Sequence, residues 1–392
     1  MTTTTLTSTD GGVWVLLPQA VSRLTALFVF AAAARRLDAE ELGLLAVATA
    51  VTAGAFALAA AVVGKPLAVL DAGERDRLGR HAQSFSVVAA LAVGLVLTAC
   101  GLALTGPVRT ALLACAVGVP ATMAVESHYW RSVFVHGRRR AGVVLSACYL
   151  SQAAAVTLAV LVLSPTGVVL SPFVGLALAG TVVVVADGGL SLSGARAWAG
   201  EHRPSWLPYV FGVVAAVALV QAVPIILALS AGLAAASIYR AGELAFGATN
   251  LLIGVVVHTH LTGIAPVALR TYWRSAVALV VLAVANGLLI GVLPTSALRP
   301  FLGPVAEQLQ EVLVPFTALR AALGVASVGS VLLVRMLTAR RVGLYGVACA
   351  GISALSLVAG SLAGGLVGGV TGLAVAEIMI AMFYGRLLVR RT

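Results

Sequence analysis

Apolar runs of about 20 residues recur along the whole chain, and they limit its possible folds more than any other feature. An α-helix needs a run of this length to cross a bilayer. The chain of 392 residues is 60% hydrophobic and only 10% charged, whereas a soluble domain carries roughly 25% charged residues. The sequence therefore predicts an all-α polytopic membrane protein.

Twelve transmembrane spans can be separated, because turn-like or charged segments divide the apolar runs. The predicted spans are residues 11–34, 42–70, 84–105, 109–130, 141–164, 166–190, 207–229, 233–260, 275–295, 310–334, 342–363 and 365–388. The division between the last two rests only on the glycine-rich stretch "AGSLAGGLVGG".

The basic residues are distributed unevenly between the two predicted sides of the membrane. With a cytoplasmic N-terminus, 17 of the 25 fall in inside loops or the C-terminal tail, 4 in outside loops and 4 within spans. This positive-inside bias predicts an even number of spans with both termini cytoplasmic. It also accounts for the net charge of +11, so we expect no nucleic-acid partner. The arginine, alanine and valine richness suggests a high-GC bacterial genome, hence a bacterial plasma membrane.

Two stretches occupy corresponding positions in the two halves of the chain. They are "LDAEELGLLAVATA" at 37–50 and "AGLAAASIYRAGEL" at 231–244, offset by 194 residues. Duplicated helical halves are common in transporters, with the substrate site near the midplane. We therefore expect two six-helix lobes, residues 1–200 and 201–392.

Four basic residues lie inside predicted spans, where a charge is costly and usually functional. Arg23 is the most central of them, and it shares a helix face with Gln19. We predict that Arg23 faces Arg240 across a cavity between the lobes, and that this cavity binds an anionic head group. The predicted binding residues are Arg23, Arg240, Lys65, Arg320 and Gln19.

Each of these basic residues also has a structural interpretation. Arg23 could form a buried ion pair with another helix, and Arg240 could be neutralised by Glu243 three residues later. Lys65 could extend to the membrane interface. Arg320 could pack near a helix end.

Three acidic residues inside the spans form the complementary set, namely Glu126, Glu243 and Glu377. A carboxylate in a cavity of low dielectric constant can exchange protons near neutral pH. These residues could therefore couple transport to H+ or Na+, or they could be structural partners of arginines.

We expect no metal site and no cofactor, since ligand spacings and a phosphate-binding loop are both absent from the sequence. No catalytic arrangement is visible either, so we do not expect an enzyme.

Three stretches resemble segments of polysaccharide flippases. They are "RRLDAEELGLLAVATA" (35–50), "ESHYWRSVFVHGRRRAG" (126–142) and "LAAASIYRAGELAFGATNLL" (233–252). On these motifs the chain is similar to the oligosaccharide-flippase (Wzx-like) branch of the multidrug/oligosaccharidyl-lipid/polysaccharide (MOP) exporter superfamily. The resemblance implies a MATE/MOP-like fold and alternating-access export of a lipid-linked (undecaprenyl-pyrophosphate) oligosaccharide or polysaccharide precursor. Membrane lipids and other glycan-assembly membrane proteins would be its partners.

Two other functions remain open at this stage. A MATE-type drug/cation antiporter should have an acidic cavity, whereas the first span contains no carboxylate. A membrane enzyme, or a non-transport partner in cell-surface glycan assembly, should have a sizeable loop outside the membrane. The longest loops here are short and arginine-rich.

Overall fold

The computed structural model describes residues 10–71, 73–261, 269–337 and 339–390. Helices account for most of these residues, and this described part of the chain contains no β-strand. The predicted all-α class is confirmed. In chain order the helices are α1 (Asp10–Ala33), α2 (Ala39–Ala59), α3 (Lys65–Val69), α4 (Arg75–Ala103), α5 (Gly106–Val135), α6 (Arg138–Val162), α7 (Pro165–Ala186), α8 (Leu192–Gly200), α9 (Arg203–Ala231), α10 (Leu233–Ala245), α11 (Gly247–Leu261), α12 (Leu269–Val292), α13 (Thr295–Leu302), α14 (Ala306–Glu311), α15 (Leu313–Met336) and α16 (Ala339–Val389).

Every predicted span overlaps at least one of these helices. Among the described residues, eight helical segments are long and apolar enough to cross a membrane, and Leu17–Ala33 and Gln221–Ala231 are shorter apolar helices. The short helix α8 falls between predicted spans, and α13 and α14 do so except for one or two residues at their ends. The chain is a multi-pass helical membrane protein.

The glycine-rich stretch near the C-terminus divides α16 into two helices. Gly364 (φ −148°, ψ 29°) and Gly365 (φ 57°, ψ −138°) both leave the helical conformation. A positive φ is accessible to glycine at little cost and is strained for other residues. The break falls at the predicted boundary between the eleventh and twelfth spans.

Two other predicted spans are interrupted, and the sequence pattern predicts neither interruption. In the second span α2 ends at Ala59, and a π-helical turn, Ala60–Gly64, leads into α3. In the eighth span α10 and α11 are separated at Phe246. Apolar residues continue through both positions, so hydropathy alone shows one uninterrupted segment.

The helix of the third predicted span, α4, begins before that span. The sequence predicts a start at residue 84, whereas α4 begins at Arg75. The additional turns carry charged side chains but also Leu78 and Ala82, which are buried together with Trp198 of α8. This apolar stripe stabilises the polar start of the helix.

The chain forms two compact units. Unit 1 contains the residues up to Arg36 and Ala48–Val214, and unit 2 contains Leu37–Val47 and the residues from Ala215 onward. The lobes predicted from the sequence, 1–200 and 201–392, stay a prediction.

Each unit has its own apolar core. In unit 1, α5, α6 and α7 bury a cluster that includes Val125, Leu145 and Leu176. In unit 2, α12, α15 and α16 bury Leu279 and Val328 with their neighbours. These cores hold the helices on which the polar residues described next are placed.

Candidate functional site: a buried arginine cluster

The interruption between α10 and α11 is stabilised by two side-chain amides. α10 ends at Ala245, and α11 begins at Gly247. The carbonyl of Glu243 accepts a hydrogen bond from Nδ2 of Asn250 at 3.0 Å, and that of Ala245 accepts one from Nδ2 of Asn286 at 3.3 Å. A break inside a membrane helix is tolerated where such partners satisfy the freed backbone groups.

Two arginines converge on one carboxylate beside this break. Nη1 of Arg240 donates to Oε2 of Glu243 at 2.9 Å. Nη2 of Arg320, 77 residues further along the chain, donates to Oε1 of the same carboxylate at 3.3 Å. Nη1 of Arg320 also donates to Oδ1 of Asn250 at 3.4 Å. We call Arg240, Glu243, Asn250 and Arg320 the arginine cluster.

Aromatic rings hold the guanidinium of Arg320 in place. It lies 4.7 Å from the ring centroid of Phe316 and 5.8 Å from that of Tyr239. Cation–π contacts of this kind gain strength when they are desolvated, and Arg320 is only 5% exposed. Its Nε has no hydrogen-bond partner among the described residues.

The arginine cluster carries more positive than negative charge. Two guanidinium groups face one carboxylate, so its four residues have a net charge of one positive unit. A buried charge is expensive unless it is paired and fully hydrogen-bonded. The planar donor fork of arginine matches carboxylate and phosphate oxygens. The cluster can therefore accept a second oxyanion.

The other predicted binding residues belong to unit 1. Arg23 and Gln19 are both exposed on α1, one helical turn apart. Lys65 is exposed at the start of α3, directly after the π-helical turn. The structure thus brings Arg240, Arg320 and Glu243 of unit 2 together, and places Arg23, Gln19 and Lys65 in unit 1.

The two remaining predicted acids are buried in different units. Glu126 of α5, in unit 1, is 1% exposed; its Oε1 accepts a hydrogen bond from Tyr149 at 2.5 Å, and its Oε2 has no partner among the described residues. Glu377 of α16, in unit 2, accepts a hydrogen bond from Ser353 at 2.8 Å. Within the described part of the chain neither acid forms an ion pair.

Several solved structures have a similar arrangement of helices. The chain is similar to an inward-facing multidrug resistance MATE family transporter of the MOP superfamily, with a TM-score of 0.69 and 11% identity over 97% of this chain and 98% of the other. It is similar to the lipid II flippase MurJ, with a TM-score of 0.68 and 12% identity over 96% and 87% of the two chains. It is also similar to a MOP superfamily transporter from Pyrococcus furiosus, with a TM-score of 0.64 and 10% identity over 97% and 94%.

The chain has the MATE/MOP transporter fold. No protein-family model matches the sequence, and no curated protein matches it either. At 10–12% identity the likeness to the solved structures concerns the MATE/MOP fold and does not identify a substrate.

Sequence reasoning missed a second polar network, which joins three helices of unit 1. Arg131 of α5 donates to Asp76 of α4 at 2.9 Å, and it lies 3.1 Å from Oδ1 of Asp187, which follows α7. Nδ1 of His128 lies 2.6 Å from Oδ2 of Asp187. The available signal was the spacing of His128, Arg131 and Ser132, which places three polar residues on one face of an apolar helix.

Ser132, His128 and Asp187 are connected in the same order as a Ser-His-Asp hydrolytic triad. The oxyanion hole that such a triad needs is not formed here. Oγ of Ser132 lies 3.2 Å from Nε2 of His128, whose other ring nitrogen contacts Asp187. Ser132 is 2% exposed and lies within α5, where backbone N–H groups are engaged in the helix and cannot form an oxyanion hole. The network ties α4, α5 and the end of α7 together.

The pKa of Asp187 reflects this environment. Burial alone would raise it, but hydrogen bonds from His128 and Gln83 and the charge of Arg131 lower the pKa below its ordinary value of 3.8. Asp187 is therefore a carboxylate at neutral pH, and it compensates the buried Arg131.

Metal binding has no candidate in the part of the chain that the structure describes. No group of three or more histidine, cysteine, aspartate or glutamate side chains is placed there to hold an ion. The arginine cluster, with its two guanidinium groups on one carboxylate, is the candidate site.

Proposed function

We propose that this protein is a transporter that moves a lipid-linked (undecaprenyl-pyrophosphate) oligosaccharide or polysaccharide precursor across a bacterial plasma membrane by alternating access. The observation that carries this proposal is the convergence of Arg240 and Arg320 on Glu243, beside a broken helix. Broken helices form the substrate and ion sites of many secondary transporters.

A phosphate group has the chemistry that this cluster needs. The charges of a pyrophosphate cannot enter hydrocarbon unaided, because they would lose their hydration. Two guanidinium groups replace that hydration with charge-assisted hydrogen bonds. Glu243 holds the same donors in the absence of substrate, so phosphate oxygens would bind by exchanging with its carboxylate. The glycan would follow the phosphate, and the isoprenoid tail would stay among membrane lipids.

The similar proteins are consistent with an anionic lipid-linked substrate. One of them is a lipid II flippase, and another is described as having a binding pocket of reversed polarity that suggests a different function. Lys65, Arg23 and Gln19 of unit 1 would supply further contacts to the head group. Glu126, Glu243 and Glu377 would couple the cycle to H+ or Na+. Both termini would be cytoplasmic, and glycan-assembly proteins would be partners.

A cation antiporter is the second candidate, and the burial of Glu126 favours it. Among the described residues, one oxygen of its carboxyl has no hydrogen-bond partner and the carboxyl forms no ion pair. A buried acid of this kind can bind a cation or a proton. The multidrug MATE transporter among the similar structures is compatible with this alternative. The excess positive charge of the arginine cluster argues against it.

Binding of undecaprenyl pyrophosphate to the purified protein distinguishes the two functions. We expect the wild type to bind, and Arg240→Gln and Arg320→Gln each to weaken binding by about tenfold or more, which corresponds to loss of one charge-assisted bond. Arg299→Gln is the matched control, since Arg299 is exposed on α13 and outside the cluster.

Arg320→Lys keeps the positive charge, so this variant distinguishes loss of the guanidinium group from loss of folding. If it folds and still binds weakly, the planar donor fork is needed, as for a phosphate. Binding that is equal in all the variants would contradict the proposal. Wild-type binding of an organic cation instead, abolished by Glu126→Gln, would establish the antiporter.

A further inference from the structure

A groove on unit 2 plays no part in the function proposed above. It lies between α12, α15 and α16 and has a volume of about 530 Å³. Its recess is formed by small residues, which are Ala318, Ala321, Ala322, Ala381 and Gly385. Larger side chains such as Trp273 and Met382 form its edges and are 50% and 62% exposed.

Arginines gather at one end of this groove. Arg386 lines the groove itself, and Trp273 is shared with an adjoining recess along α12 that is lined by Arg270 and Arg274. All three arginines are exposed, and no ion pair in the described part of the chain involves any of them. The groove therefore has an apolar body and a positively charged end.

The length of the groove matches one leaflet of a membrane. On α16 its lining extends from Ile378 to Val389, which is about 16 Å at 1.5 Å per residue. The hydrocarbon core of a bilayer is roughly 30 Å thick, so the groove with its charged end is about as long as one leaflet is thick. Tryptophan is enriched at the membrane–water interface, and Trp273 lies at the charged end.

We infer that this groove binds an anionic glycerophospholipid of the surrounding leaflet. One acyl chain lies along α15 and α16, and the phosphate contacts Arg270, Arg274 and Arg386. A zwitterionic lipid fills the same apolar body but neutralises less of the charge. The arginines lie on the side that the sequence predicts to be cytoplasmic, where anionic lipids concentrate.

This lipid is distinct from the proposed substrate. The substrate phosphate is assigned to Arg240 and Arg320, and Arg320 is directed towards Glu243 rather than into the groove. The groove supplies three other arginines for a second phosphate. The inference therefore stands whether or not the proposed function is correct.

Trp273 allows occupancy of the groove to be measured. Bromine atoms on an acyl chain quench the fluorescence of a tryptophan that they contact. The full-length protein is placed in bilayers that contain brominated phosphatidylglycerol or brominated phosphatidylcholine at equal mole fractions. Trp273→Phe is measured in parallel, because it isolates the Trp273 signal from the four other tryptophans.

We expect brominated phosphatidylglycerol to quench Trp273 at a several-fold lower mole fraction than brominated phosphatidylcholine. In Arg270→Gln/Arg274→Gln that preference should be largely lost, because two of the three arginines that contact the phosphate are removed. The matched control is Arg196→Gln/Arg203→Gln, which removes two exposed arginines of unit 1 and should keep the preference. Ala318→Leu/Ala321→Leu fills the recess and should reduce quenching by both lipids.

Three results would overturn the inference. The first is equal quenching by the two lipids in the wild type. The second is an unchanged preference in Arg270→Gln/Arg274→Gln, whose thermal unfolding shows that it is folded. The third is displacement of the brominated lipid by undecaprenyl phosphate more readily than by unlabelled phosphatidylglycerol, which would assign the groove to the lipid-linked substrate.

Discussion

Asn250 donates its side-chain amide to the backbone carbonyl of Glu243, at 3.0 Å, while its side-chain oxygen accepts a hydrogen bond from Arg320. A single residue thus stabilises the break between α10 and α11 and positions a buried cation. The conformation of the backbone and the charge of the site are linked at this residue.

Asn250→Ala should destabilise the protein by about 1–3 kcal/mol. The substitution leaves the carbonyl of Glu243 and one donor of Arg320 without partners, and an unsatisfied buried polar group costs this much. Thermal or denaturant unfolding in detergent measures the effect. Gln310→Ala is the control, because it removes an exposed hydrogen bond to Leu293 and should change stability by less than about 0.5 kcal/mol. Equal effects of the two substitutions would contradict this account.

Glu243→Gln should strengthen the binding of inorganic pyrophosphate to the purified protein by about tenfold. The substitution removes the charge that competes for Arg240 and Arg320, and hydrogen bonds to charged groups are worth about 1.5–3 kcal/mol. Isothermal titration calorimetry measures the affinity. Glu307→Gln removes an exposed carboxylate of α14, outside the cluster, and should leave the affinity unchanged. Weaker binding in Glu243→Gln would show that the carboxylate organises the site rather than occupying it.

Tyr149→Phe should destabilise unit 1 by about 1–3 kcal/mol, because Oε1 of Glu126 then loses its donor and becomes an unsatisfied buried oxygen. The double substitution Glu126→Met/Tyr149→Phe should cost less than Tyr149→Phe alone, since replacing both partners by apolar groups leaves no polar atom unpaired. Unfolding of the single and double variants tests this non-additivity. Strictly additive costs would mean that the two residues act independently.

Asp187→Asn should lower the melting temperature at pH 7, and the difference from the wild type should disappear in acid. The folded-state pKa of Asp187 lies below its ordinary value of 3.8. Its contribution to stability is therefore fully present above about pH 4 and is lost as the pH falls through the folded-state pKa. Melting curves at several pH values between 2 and 7 measure this convergence. A constant difference across that range would exclude the ionised carboxylate as the cause.

The matched control for this pH series is Asp71→Asn. Asp71 is exposed outside the helices, so its substitution should shift the melting temperature little. A shift as large as that of Asp187→Asn would point to a general effect of charge.

The positions of the helices can be predicted from the sequence, whereas most of the polar contacts between helices cannot. Hydropathy locates the spans, and glycine chemistry locates the break at Gly364 and Gly365. The proximity of Arg240 and Glu243 is visible as a spacing of three residues on one helix. Arg320 and Glu243 are 77 residues apart, and no local pattern shows that they meet.

The interruptions of the helices are equally hidden, because the partners that stabilise them are remote in sequence. Asn286 satisfies the carbonyl of Ala245 from 41 residues away. His128 and Asp187 are 59 residues apart and belong to different helices. Such contacts follow from tertiary packing, which a periodicity in one segment does not contain.

The π-helical turn at Ala60–Gly64 sets the rotational register of everything that follows it in the second span. A π turn contains one residue more than an α turn, and one residue corresponds to about 100° around a helix axis. Deleting a single residue there would restore a regular helix and swing Lys65 away from its exposed position. Leu67, which is fully buried, would turn out of the core in the same step. The extra residue therefore rotates Lys65 and Leu67 together by about 100° relative to α2, so that the lysine is exposed while the leucine is buried in the core.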